Sequence, residues 1–279
     1  MRLGMVMDVR RCNGCYNCFL ACKDEHCEVD HLPHAAAQPM TGQAWVRLVE
    51  TERGQFPKVK VDYTAVPCMH CDEAPCLTPD GAVYQREDGI VLIDPEKAAG
   101  RKELLAGCPY RVVFWNEGRQ VAQKCTMCAH LLDAGYKEPR CVEACPTGAL
   151  VFGDLDDPAS AVSRALATGQ TAALRPEFGL REKVRYVGLP KSFVAGCVVF
   201  GDLDACAAGV QVSLTTGGET LVAQTDAFGD FEFEGLPAYA ACSLDIAVAG
   251  YGPWHGEVKL TTSLNIGDIV LSALGEGAV

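Results

Sequence analysis

Four cysteines near the start of the chain, Cys12, Cys15, Cys18 and Cys22, stand in the pattern C-x2-C-x2-C-x3-C. Bacterial iron–sulfur proteins use this run. Its two-residue gaps let one tight loop set three thiolates on three iron corners of a cubane, with loop N–H groups turned toward the sulfurs. The three-residue gap begins a helical turn and carries Cys22 past that cube. In such proteins the fourth cysteine serves a neighbouring cluster, so the run predicts matching cysteines elsewhere. They follow as Cys68, Cys71 and Cys76 in C-x2-C-x4-C, a lone Cys108, and Cys125 and Cys128 with Cys141 and Cys145 downstream. Cys108 and Cys145 are each followed by proline, which lacks an N–H, fixes φ and ends each loop sharply.

The cross-over rule sorts the ligands. Cys12, Cys15 and Cys18 take Cys145; Cys125, Cys128 and Cys141 take Cys22; Cys68, Cys71 and Cys76 are left with Cys108. Three [4Fe-4S] cubanes follow, and no ligand is missing. Structural zinc sites use two separated C-x2-C knuckles instead. Disulfides are disfavoured because thiols two residues apart cannot bridge in good geometry, and 279 residues bury a core without staples. Of the sixteen cysteines, Cys27 reads as a free thiol, and Cys197, Cys206 and Cys242 as small apolar packing residues.

Several elements must position these loops. Residues 3–9 read as a strand feeding the first one. Residues 26–43 read as an irregular connection whose His26, His31 and His34 are solvated, since no ligand spacing surrounds them. Alternation from Trp45 to Tyr63 gives a hairpin turning at Glu52-Arg-Gly-Gln, and Gly81–Asp94 a second one. His70 and His130 read as packing behind the ligands. Residues 151–193 read as a connecting segment with a helix starting at Asp157-Pro158, carrying Val162, Ala165 and Leu166 at helical spacing. From Phe193, seven short alternating runs separated by turns predict a β-sandwich. The expected class is α+β: a bacterial-ferredoxin-like cluster domain with inserted hairpins (1–150), a linker (151–193) and a seven-stranded sandwich (194–279).

A formal charge of −12 excludes the basic footprint of a nucleic-acid binder. No apolar run reaches the roughly 20 residues that span a bilayer. Cys12 arrives before a signal peptide would be complete. The expected location is cytoplasmic, with periplasmic placement requiring co-export with a signal-bearing partner.

Residues 1 to about 190, including Phe152-Gly-Asp-Leu-Asp-Asp-Pro158, resemble the four-cluster iron–sulfur subunits of molybdenum and tungsten oxidoreductases of the dimethyl-sulfoxide-reductase family. The departure from that pattern is coherent. Asp80, Ala98, Arg101 and Leu104 stand where the family carries cysteine, and four losses match the ligand set of one cluster. With a C-terminal β-domain added, the chain is similar to the small subunits of the transhydroxylase, resorcinol hydroxylase and catechol dehydroxylase group, notably over Gly81–Lys97 and Ala122–Asp133. The resemblance implies an electron-transfer subunit beside a large partner that carries a bis(molybdopterin guanine dinucleotide) metal centre and acts on hydroxylated aromatics. No catalytic residue is assigned to this chain.

Two alternatives keep the clusters: a respiratory subunit wired to a membrane quinone partner, and a stand-alone ferredoxin. Lys23, Arg101, Lys102, Arg111, Lys124 and Arg140 are placed to offset cluster charge. Tyr16, Phe19, Tyr110, Phe114 and Trp115 are placed to exclude water. The opening Val194-Ala-Gly196, the turn Thr225-Asp-Ala-Phe-Gly229 and Gly250-Tyr251 resemble transthyretin-like modules. Docking of the large subunit is the favoured role for the β-domain, over carbohydrate binding or simple capping.

Overall fold

The computed structural model describes residues 1–275. The chain divides into two compact units, Met1–Glu50 with Asp62–Leu189, and Thr51–Val61 with the chain from Pro190 onward.

The first unit contains β1 (Leu3–Asp8), α1 (Asn17–His26), the base of a hairpin of β2 (Arg47–Gln55) and β3 (Lys58–Val66), and β4 (Val83–Gln85) paired with β5 (Val91–Ile93). Then follow β6 (Phe114–Asn116) with β7 (Val121–Gln123), α2 (Ala129–Asp133), α3 (Arg140–Glu143), β8 (Leu150–Asp154), α4 (Ala161–Ala167), β9 (Thr171–Ala172) and β10 (Val184–Val187). The main sheet runs β8-β1-β10-β9. β1 pairs antiparallel with β8, Leu3 opposite Asp154, and parallel with β10, Met5 opposite Val184. β1 is covered on both faces, Met5 and Met7 in the main apolar cluster and Val6 against Val162 of α4, so Leu3 to Met7 are all buried.

Residues 151–193 therefore do more than connect, because they supply most of β8 and all of β9 and β10. The helix also starts later than Asp157-Pro158. Ser160 caps it, its Oγ accepting the Ser163 N–H at 3.1 Å. The first hairpin turns at Phe56-Pro57, not at Glu52–Gln55. Pro57 has no N–H to give a ladder, so it falls in the turn.

The cysteine loops hang from the ends of these strands. α1 begins after Tyr16 in a left-handed conformation, φ 61, and its buried face carries Cys18, Cys22 and His26 at four-residue steps. Gly14 has φ 71, and a Cβ there would meet the Tyr63 ring at 2.7 Å, so only glycine fits.

The second unit holds β11 (Ser192–Phe200), β12 (Ala205–Cys206), β13 (Gln211–Thr216), β14 (Glu219–Gln224), β15 (Asp230–Leu236), β16 (Ala241–Ile246), β17 (Trp254–Lys259) and β18 (Leu264–Leu271). One sheet runs β12-β11-β15 with β18 beside β11, and the other β14-β13-β16-β17. Period-two alternation turns Val212, Leu214, Phe231, Phe233, Leu244, Ile246, Ile269 and Leu271 into one apolar cluster. The unit is mostly β, as expected, with eight strands among the described residues; the two-residue β12 is too short to show a pattern. The hairpin tip joins this unit, Lys60 pairing with Glu232 and Glu234 and Lys58 with Glu232 at 3.1 Å.

Cys242 is buried here, but Cys206 is exposed, against expectation, because β12 is a short edge strand. No helix among the described residues is long and apolar enough to cross a membrane.

Candidate iron–sulfur centres

The twelve spaced thiols lie in the first unit and crowd one another. Burial pushes Cys18 up to about 11, and Cys12, Cys145 and Cys15 raise it further. Burial lifts Cys22 far above the usual thiol range, with Cys125 and Cys128 adding to it. Cys141 is likewise raised by burial and then by Cys128, Cys125, Cys22 and Cys18. Burial takes Cys71 to about 12, with help from Cys68, the Glu182 carboxylate, Cys108 and Cys76. Such crowding keeps the thiols protonated unless a cation joins them. The donor chemistry therefore fits a soft, positively charged iron core.

An apolar cavity is bounded by Cys22, Cys125, Cys128 and Cys141, with Met5, Trp45, Val46 and Met127 among its walls.

One local rule repeats in the loops: the leading sulfur accepts the N–H of the residue two ahead. His70 donates to Cys68 at 3.4 Å and Met127 to Cys125 at 3.3 Å. Gly14 to Cys12, Tyr110 to Cys108 and Thr147 to Cys145 follow the same step. Left-handed backbone at Gly14, His70 and Met127 turns these N–H groups inward, as a nest does. Cys145 shows the result. Burial opposes its ionisation, yet the Leu150 N–H, the Thr147 hydroxyl and the N–H groups of Ala149 and Thr147 bring it below the usual thiol value. Cys15 is exposed, whereas Cys22, Cys125, Cys128 and Cys141 are all buried.

The histidines are not solvated. His26 is 1% exposed, and its Nε2 lies 3.8 Å from Cys128 Sγ. Burial pushes its pKa down to about 3, so the ring is neutral. His31 and His130 stack at 3.8 Å. Glu25 holds them: His130 Nε2 lies 2.9 Å from its carboxylate, His31 Nε2 lies 2.8 Å from its carbonyl, and Arg140 donates to its other oxygen at 2.7 Å. His34 Nε2 sits 2.6 Å from Asp133. Nitrogens of His26, His31 and His130 lie within 4.8 Å of one another. His31 Nε2 and His130 Nε2 are both engaged by Glu25, so packing around Glu25 accounts for the trio. His26 stands four residues past Cys22, a helical step that carries α1 one residue into the expected irregular connection; the approach of His31 and His130 had no local signal. His70 is buried and accepts the Val91 N–H at 3.0 Å, which fits the packing role.

Of the six cations named, Lys23 donates to the Pro39 carbonyl at 2.7 Å. Arg101 and Lys102 pair with surface carboxylates, Arg111 is exposed, and Lys124 is buried. Tyr16 is partly exposed, its hydroxyl 2.5 Å from Glu50, while Phe19, Tyr110, Phe114 and Trp115 are half-buried. At the four departures from the family pattern, Arg101 donates to Asp80 at 2.5 Å. Ala98 and Leu104 are buried in an apolar cluster with Val83, Val91 and Ile93.

Residues 59–155 match the model of a 4Fe-4S dicluster domain. The chain is 46% identical over 239 residues to the small subunit of pyrogallol hydroxytransferase of Pelobacter acidigallici, covering 83% of this chain and 86% of that one. It is 32% identical to the iron–sulfur subunit of the arsenate respiratory reductase of a Shewanella species, over 67% of this chain and 96% of that one. It is 38% identical to a subunit of the tetrathionate reductase of Salmonella typhimurium, over 69% of this chain and 75% of that one. The chain belongs to the family of iron–sulfur electron-transfer subunits of molybdoenzymes.

Proposed function

We propose that this subunit carries three [4Fe-4S] clusters and serves a large molybdopterin partner that transhydroxylates, hydroxylates or dehydroxylates polyhydroxylated aromatics. The ligand sets are Cys12, Cys15, Cys18 and Cys145; Cys22, Cys125, Cys128 and Cys141; and Cys68, Cys71, Cys76 and Cys108. Their support is the spacing of the cysteines, the cavity lined by Cys22, Cys125, Cys128 and Cys141, and the way Cys18 is raised by Cys12, Cys15 and Cys145 and Cys71 by Cys68, Cys76 and Cys108. When bound, cubanes supply one-electron transfer at potentials set by charge, hydrogen bonds and exposure. The chain's own part is to give N–H groups to the sulfurs and to shut water out with Met5, Trp45 and Met127. The partner is read as a bis(molybdopterin guanine dinucleotide) enzyme, because the similarity to the pyrogallol hydroxytransferase subunit spans 239 residues, more than the first unit contains.

The respiratory reading rests on the arsenate and tetrathionate reductase relatives, whose matches cover 67% and 69% of the chain. We read the second unit as a transthyretin- or Ig-like sandwich that docks the partner, and the complex as cytoplasmic. The test is to purify the native complex anaerobically from its host. The expected result is about twelve iron atoms per chain, a molybdenum or tungsten subunit in the same peak, and turnover of a phenol. Zinc or disulfides in the cysteine sets would overturn the cluster reading, and a co-purifying hydrophobic anchor with quinol turnover would favour the respiratory one.

A further inference from the structure

Two lysines are buried in the first unit, and they differ in what neutralises them. Lys183 Nζ lies 2.7 Å from the Asp72 carboxylate and 2.7 Å from the His70 carbonyl. Lys124, 2% exposed, donates to the carbonyls of Val91 and Cys125 and has no carboxylate at ion-pair distance among the described residues. A buried ammonium facing only carbonyls is costly unless a negative charge lies near. Its two contacts show where that charge comes from. One carbonyl belongs to Cys125 itself; the other, that of Val91, lies in the apolar cluster against which Cys76 and Cys108 pack. These cysteines belong to two different sets. The same Val91 gives its N–H to His70, whose own backbone N–H reaches Cys68 Sγ, and Cys68 lines the cavity of the second set.

We propose that Lys124 is a counter-ion shared by the Cys22/Cys125/Cys128/Cys141 cluster and the Cys68/Cys71/Cys76/Cys108 cluster, raising the reduction potential of both and leaving the third alone. The inference rests on the three-cluster reading above. Each cubane with four thiolates is an anion, and reduction adds one more negative charge. A fixed cation held in a low dielectric therefore favours the reduced form of whichever cluster it faces. Placed between two, it couples them: losing one side chain moves two midpoints in the same direction. Lys124 bonds backbone carbonyls and ligates nothing, so it acts as a tuning residue.

The experiment is an anaerobic redox titration followed by electron paramagnetic resonance on the native complex, comparing wild type with Lys124→Gln, Lys124→Met and Lys124→Arg. Wild-type material is read first; fewer than three cubane signals would sink the underlying cluster reading independently of any variant. With three present, the neutral variants should lower two midpoint potentials together and leave the third in place, and arginine should restore both. Unchanged midpoints in a fully loaded neutral variant, a shift in only one cluster, or an equal shift in all three would overturn the shared counter-ion. Iron loss confined to the two neutral variants supports it, since charge separates them from arginine. Iron loss in all three variants would mark a packing role and overturn it.

Discussion

Replacing Cys141 with alanine should unfold the first unit as well as strip out one cluster. Cys141 is buried with Cys22, Cys125 and Cys128 against an apolar cavity, and the same apolar cluster that lines it contains Cys18, Cys22, Cys68, Cys71, Cys125 and Cys141. The core of this unit is thus built on cluster ligands. Binding free energy at a metal site absent from the unfolded chain is folding free energy, on the order of 10 kcal/mol for a structural metal. A domain is stable by about 5–15 kcal/mol in all, so the unit is left near or below zero. The second unit has its own apolar core, in which Cys242 is the one cysteine, and should keep its transition. The assay is urea unfolding under argon, with cluster absorbance reporting the first unit and limited proteolysis reporting both. The variant should show cuts throughout residues 1–50 and 62–189, with residues 190–275 protected. Cys15→Ala, at an exposed position, should disturb its own set and leave the fold standing. The reasoning fails if Cys141→Ala protein with about eight irons unfolds at the wild-type midpoint.

The cross-over itself is tested by non-additivity: Cys22→Ser with Cys125→Ser should lose no more iron than either alone, while Cys22→Ser with Cys18→Ser should lose two clusters' worth. Additive loss in the first pair would show that Cys22 serves its own loop. Gly54→Ala should destabilise the second unit by about 2–4 kcal/mol by calorimetry, because φ is 88 and the new Cβ would sit 2.3 Å from the Lys58 carbonyl and 2.6 Å from the Phe193 ring; an unchanged transition would show that the tip relaxes freely. Placing cysteine at Asp80, Ala98, Arg101 and Leu104 removes the ion pair and part of the apolar cluster closing that region, and should raise iron from about twelve to about sixteen. Iron unchanged would mean that the backbone path, not the side chains, closes it. Deleting residues 194–279 should weaken association with the large subunit on gel filtration, and an intact complex would refute docking.

The second unit was legible because its core is made of carbon. Alternation of Val212, Leu214, Leu244 and Ile246 against polar neighbours is the ordinary signature of a half-buried strand, and its seven runs reappear with ends moved by a few residues. The first unit offered no such rhythm, because thiols occupy places that apolar side chains hold elsewhere. There the spacing of cysteines, not hydropathy, carried the information. What it left out was everything held by neither period nor thiol. Val184–Val187 is four residues of strand inside a Pro- and Arg-rich stretch, and only its parallel place beside β1 makes it part of the sheet. His31 and His130 meet through Glu25, a contact made by three segments that nothing local relates. Glu25 could have been suspected, for it precedes a histidine on the helix that carries Cys18 and Cys22, yet its role depends on Arg140 arriving from over a hundred residues away. A chain that folds around iron writes its ligands plainly, and leaves the side chains that tune them to be found only where the loops converge.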